Sequence, residues 1–130
     1  MKKKYLIVIA NYYEDVAKGL MESSLKLIPK SNVVKIIKVP GVFEIPVIIS
    51  RNIKKYDGFI TLGCVIKGET PHFDFISSSA TNGIMKLSIE SKKPIGNGII
   101  TCLNKKQAIA RSKTKGQEAA KAVVYILNNH

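Results

Sequence analysis

The stretch Phe59-Ile60-Thr61-Leu62-Gly63-Cys64-Val65-Ile66, introduced by Asp57-Gly58, runs straight into Lys67-Gly68-Glu69-Thr70-Pro71-His72-Phe73-Asp74. The first eight residues are almost uninterrupted apolar, the pattern of a strand buried on both faces, as in parallel sheets. Thr70 before Pro71 is a helix start: a hydroxyl to cap free N–H groups, then a residue whose missing N–H does no harm. Phe73, Ile76, Ala80, Ile84 and Leu87 then recur at spacings of three and four, which predicts a helix over 71–91. A buried strand feeding an amphipathic helix is half of a βαβ unit.

The same alternation extends in both directions. Residues 4–10 and 33–39 read as strands, 13–28 as a helix stopping before Pro29, and 44–55 as a helix with Pro46 in its first turn. Pro94 opens a fourth strand ending near Cys102. Asn104 and Gln107 have the spacing of a capping box for a short helix over 105–112. A last helix is expected over 115–128, with Ala119, Val123, Ile126 and Leu127 on one face. The order βαβαβαβαα predicts an α/β fold with a parallel sheet, helices on both faces and right-handed crossovers. Ligands in such folds gather beyond the carboxyl ends of the strands, which directs attention to 11–13, 40–44, 67–72 and 102–104. Gly96-Asn97-Gly98 lacks a full phosphate-loop pattern and is expected to be backbone relief or a bulge within a strand.

At 130 residues, 45% hydrophobic and 23% charged, the chain is read as one domain over 1–130 with a real core. No apolar run approaches the roughly 20 residues of a membrane span. Met1-Lys2-Lys3-Lys4 before Tyr5–Ala10 imitates a signal peptide, but the run is short and lacks a cleavage site, so a cytoplasmic protein is expected. Cys64 and Cys102 sit in apolar runs without metal-like spacing, which predicts buried reduced thiols and no metal site. Of the 21 basic residues behind the +12 charge, all but Arg51 and Arg111 are Lys. They are spread along a chain also rich in Ile and Asn, the mark of an AT-biased genome. A nucleic-acid footprint would cluster and favour Arg, so no nucleic-acid partner is expected. The charge still attracts anionic ligands.

Free N–H groups at the Thr70-Pro71 helix start, with Gly68 before them and Lys67 beside them, form an anion cradle. His72 lies in the first turn, where the helix dipole disfavours the imidazolium and leaves a ring able to accept a proton. The alternative is a well-capped helix bearing an exposed His. In Pro40-Gly41-Val42-Phe43-Glu44, Phe43 and Glu44 reach the sheet edge as a flat wall and a carboxylate for a heterocycle, or else serve as a core ring and a helix-start acid. Tyr12 and Tyr13 stack on a planar ligand or fill the sheet edge. Arg111 either binds an anion or complements the C-terminus of a short helix.

Val39–Pro46 and Gly63–Asp74 resemble the two signature segments of the lumazine synthase family, with further similarity in Gly98–Thr101, Gln107–Arg111 and Lys115–Ala120. The resemblance implies a flavodoxin-like three-layer sandwich with strand order 2-1-3-4. It also implies cofactor-free condensation of 5-amino-6-(D-ribitylamino)uracil with 3,4-dihydroxy-2-butanone 4-phosphate. By the family pattern Tyr12 stacks on the pyrimidine, Val42, Phe43 and Glu44 line the pyrimidine and ribityl pocket, and Cys64, Val65 and Ile66 add backbone contacts. Glu69, Thr70 and a neighbouring subunit's Arg111 match phosphate-binding positions, Lys115 and Glu118 lie nearby, and His72 matches the proton-transfer residue. A homopentamer with sites at subunit interfaces is implied. Asn97 stands where the family usually has a Phe reaching into the neighbour's site, and Tyr12 replaces the usual Phe. Leu103 and Asn104 depart from an acidic and a hydroxyl residue. The loop from Ser112 to Gly116 and the N-terminus are short relative to capsid-forming members. Two rival readings are a flavin- or nucleotide-binding module, which would copurify with a coloured ligand, and a nucleic-acid binder, which would show steep salt dependence.

Overall fold

The computed structural model describes residues 2–68 and 73–129. Its elements are β1 (Lys4–Ala10), α1 (Glu14–Leu25), β2 (Val33–Val39), a 3-10 turn (Val42–Glu44), α2 (Ile45–Asn52), β3 (Gly58–Ile66), α3 (Phe73–Ser91), β4 (Ile95–Cys102) and α4 (Lys105–Asn129). The strands form one parallel sheet in the order β2-β1-β3-β4. This is the expected three-layer α/β arrangement.

The two central strands explain the layering. Successive side chains on a strand point to opposite faces, and all nine residues of β3 are buried. On one face Ile7, Ile9, Ile60 and Leu62 pack with Val16 and Leu20 of α1 and Ala119 and Val123 of α4. On the other, Leu6, Val8, Phe59 and Val65 pack with Ile45 and Ile49 of α2 and Ala80 and Ile84 of α3. Lys93 ties off the second layer: its Nζ donates to the carbonyls of Ile53 (2.6 Å) and Tyr56 (2.8 Å), just past the end of α2. Among the described residues, no helix is long and apolar enough to cross a membrane.

Two expectations need correction, and a third resolves between its alternatives. The separate helices over 105–112 and 115–128 are one helix, so Ser112–Gly116 is not a loop. Its small residues admit α1: the Ser23 hydroxyl donates to the Ser112 carbonyl (2.9 Å), and a Cβ on Gly116 would collide with the Leu20 carbonyl oxygen. Ile126, assigned to the buried face, is exposed, and Ala120 is buried in the core. Of the two readings of Gly96-Asn97-Gly98, backbone relief holds and the bulge does not, since the β3–β4 register is continuous from Phe59↔Ile95 to Ile66↔Cys102. The glycines instead let β4 press against its neighbours: a Cβ on Gly96 would meet the Ala119 carbonyl oxygen, and one on Gly98 would meet the Thr61 carbonyl oxygen at 2.7 Å. The capping pair holds in modified form. Asn104 Oδ1 accepts the Gln107 N–H (2.8 Å), and Gln107 Oε1 accepts the N–H of Leu103 (2.8 Å).

Candidate active site

Strand order reverses between β1 and β3, because their onward connections lead to opposite sides of the sheet. Beyond the carboxyl ends of these strands lies a cavity of about 270 Å³. Its floor is Cys64, Val65 and Ile66, the last turn of ladder in β3, and its walls come from three other segments. Tyr12 and Tyr13 enter from the β1–α1 bend, Gly41 and Val42 from the turn after β2, and Ile76 from α3.

Each wall has a local cause. Gly41 is in extended conformation (φ −148°), and its carbonyl accepts the Glu44 N–H (3.2 Å), which closes the 3-10 turn and sinks Val42 into the core. The Asn11 N–H reaches across to the Val39 carbonyl (3.2 Å), which joins the exits of β1 and β2. Beyond Ile66 the Lys67 N–H bonds the Cys102 carbonyl (2.8 Å), and Gly68 adopts a left-handed φ of 88°. Tyr12 remains 73% exposed, its ring edge-to-face with Tyr13 at 4.9 Å and 86°. Burial, assisted by neighbouring Cys102, pushes the Cys64 thiol up to about 12. It is therefore a protonated wall and not a nucleophile. Both cysteines are free and buried, as expected.

Phe43 is no core ring: it is 62% exposed and faces an adjoining apolar cleft of about 380 Å³ with Phe75, Ile76 and Ser79. Glu44 precedes α2, but its side chain makes no capping bond there. Ile76 borders both this cleft and the main cavity. Its periodicity in the sequence marks it only as a helix-face residue, so its place at the site had no separate signal.

A second cluster stands apart. Arg111, Lys115, Asn97 and Thr101 line a cavity of about 410 Å³ between β4 and α4, and none of its described residues borders the first cavity. Arg111 lies in the second turn of a long helix, not at a helix end, which removes its C-terminal-cap alternative. Its Nη1 donates to the Thr101 carbonyl (3.1 Å). Lys115 Nζ pairs with Glu118 Oε1 at 3.3 Å. Asn97 turns back on its own strand, where Oδ1 accepts the Ile99 N–H (3.0 Å). Glu69, Thr70, Pro71 and His72, along with the terminal His130, lie outside the described residues.

A parallel α/β sheet with an aromatic-walled crevice at its switch point, and a cationic cluster on its outer edge, has the form of a strand-end site suited to planar and anionic small molecules. The chain matches the family described as 6,7-dimethyl-8-ribityllumazine synthase over residues 2–130. It is 40% identical over 131 residues to the 6,7-dimethyl-8-ribityllumazine synthase of Bartonella bacilliformis, spanning 94% of this chain and 86% of that protein. The protein of that name from Cutibacterium acnes is 37% identical over 132 residues (95% and 80%), and that from Agrobacterium fabrum 37% over 140 (98% and 95%). The chain belongs to the 6,7-dimethyl-8-ribityllumazine synthase family.

Proposed function

We propose that this chain condenses 5-amino-6-(D-ribitylamino)uracil with 3,4-dihydroxy-2-butanone 4-phosphate, giving 6,7-dimethyl-8-ribityllumazine, phosphate and water in riboflavin biosynthesis. The family membership carries this reading. The aromatic crevice at the β1/β3 switch point, with its apolar floor, supports it as a slot for a flat pyrimidine. The reaction involves no net oxidation, so no cofactor is invoked.

Catalysis on this reading is mainly positioning. Tyr12 stacks on the pyrimidine, Val42, Phe43 and Glu44 border the ring and its ribityl chain, and the Cys64–Ile66 backbone supplies polar contacts. The substrate amine attacks the ketone, phosphate and water leave, and the ring closes. Alignment of two small reactants can remove about 7–11 kcal/mol of barrier, and proton transfer by His72 adds about 10²–10⁴-fold. Glu69 and Thr70 hold the phosphate together with Arg111 and Lys115 of a neighbouring protomer. Two observations favour a shared site. The first cavity, at about 270 Å³, falls just below the roughly 300–1,000 Å³ usual for small-molecule sites. The cationic cluster shares no described lining residue with it. Exposed Phe75, Met85 and Ile89 on α3 supply apolar surface for a homo-oligomer, a pentamer on the family pattern.

The test is to mix the purified protein with both substrates and follow lumazine absorbance. Product formation is expected, with His72→Ala slowing turnover by about 10²–10⁴-fold without abolishing it. An unchanged rate for His72→Ala across pH 6–8 would remove the proton-transfer role.

A further inference from the structure

The two tyrosines after β1 are neighbours in sequence but not in environment. Tyr12 is 73% exposed and lies in a bend, outside any helix or strand. Tyr13 is half-buried, packs against the core layer beneath α1 and α4, and occupies the N-cap position of α1. Its carbonyl accepts the Ala17 N–H at 2.9 Å, so its backbone is fixed by the first turn of the helix. Its ring meets Tyr12 at 86°, with centroids 4.9 Å apart, and both rings border the cavity above Cys64–Ile66.

We propose that Tyr13 is a positioning residue that holds the Tyr12 ring over the crevice, so that the pyrimidine meets a preset aromatic wall. This rests on the reaction proposed above. An aromatic side chain that is mostly in solvent rotates among staggered conformers, and a ligand that stacks on it must first select one. A ring edge directed at the face of another ring favours one arrangement, and here one ring of the pair is anchored to the core and to a helix start. Pre-ordering of this kind strengthens binding without adding a contact to the ligand. The effect should fall on pyrimidine binding and spare the phosphate-bearing reactant, whose cationic partners lie on another face.

Steady-state kinetics of Tyr13→Leu and Tyr13→Phe, with melting curves to verify folding, provide the test. Tyr13→Leu keeps the apolar contact with the core and removes the ring; it is expected to raise KM for the ribitylaminouracil about 3- to 10-fold, the scale of one edge-to-face contact. KM for the butanone phosphate and kcat should stay within about 2-fold. Tyr13→Phe retains the ring and should restore the pyrimidine KM. An unchanged pyrimidine KM in Tyr13→Leu overturns the proposal, as does an equal loss in Tyr13→Phe or a parallel rise in both KM values. Should Tyr13→Leu not fold, Tyr13→Met makes the same comparison. If the unaltered protein makes no lumazine, the reaction assigned above is wrong, and the same variants are compared by calorimetric titration with the pyrimidine alone.

Discussion

Two weakened protomers should repair one another. Tyr12 leaves the end of β1, whereas Arg111 is held by Thr101 at the outer edge of β4. Strand β4 lies two spacings from β1, about 10 Å, and α4 places the guanidinium in a separate cavity. On the shared-site reading proposed above, a site that uses both groups draws them from different copies. Tyr12→Ala removes a stacking surface worth about 1–3 kcal/mol, and Arg111→Ala removes charge-assisted bonds worth about 1.5–3 kcal/mol. Each variant alone should retain only a small fraction of kcat/KM. In an equimolar mixture assembled at random, half the sites take an intact Tyr12 and half of those meet an intact Arg111. About one quarter of sites are then whole. The two variants would be unfolded, mixed, refolded and assayed by lumazine absorbance at subsaturating substrate. Recovery near that fraction is expected. A mixture no more active than the mean of its parents would refute the shared site.

Two further outcomes concern stability. Lys93→Met keeps the aliphatic stem but leaves the Ile53 and Tyr56 carbonyls to water; discounted for partial exposure, the loss should be about 1–3 kcal/mol, read as a fall of several degrees in Tm. Cys64 titrates higher folded than unfolded, so its contribution is complete below pH about 9 and declines as pH rises toward about 12. Urea titrations should show unfolding free energy dropping above pH 9, and Cys64→Ala should flatten that alkaline limb.

Much of the fold was legible because the central strands leave little choice. A run such as Tyr5–Ala10 or Phe59–Ile66 is apolar on both faces and must be covered by helices on each. The unbroken terminal helix is less legible, for a physical reason. Ser112, Thr114 and Gly116 have weak helix propensity, but small side chains also allow close helix packing, and only tertiary contact with Leu20 and Ser23 tells the two apart. At the site, Tyr12 and Val42 were legible from segments at strand exits, Cys64–Ile66 only through the family resemblance, and the cavity gathers them all. Arg111 and Lys115 were legible as cations, but their separation from that cavity follows from the course of α4. Tyr13 was marked together with Tyr12 at the exit of β1, but which ring is anchored and which stays exposed follows from orientation, and Ile76, one of many apolar residues on a helix, carried no distinguishing mark.

The reversal of Asn97 onto its own backbone has a consequence for how the molecule meets other chains. An outermost parallel strand offers alternate unpaired amides to any extended peptide, which is how fibrils are seeded. Here the Ile99 amide is already engaged by the side chain two residues earlier. An incoming fifth strand must break that internal bond before forming its own, so the asparagine acts as a small guard against templated aggregation along the rim.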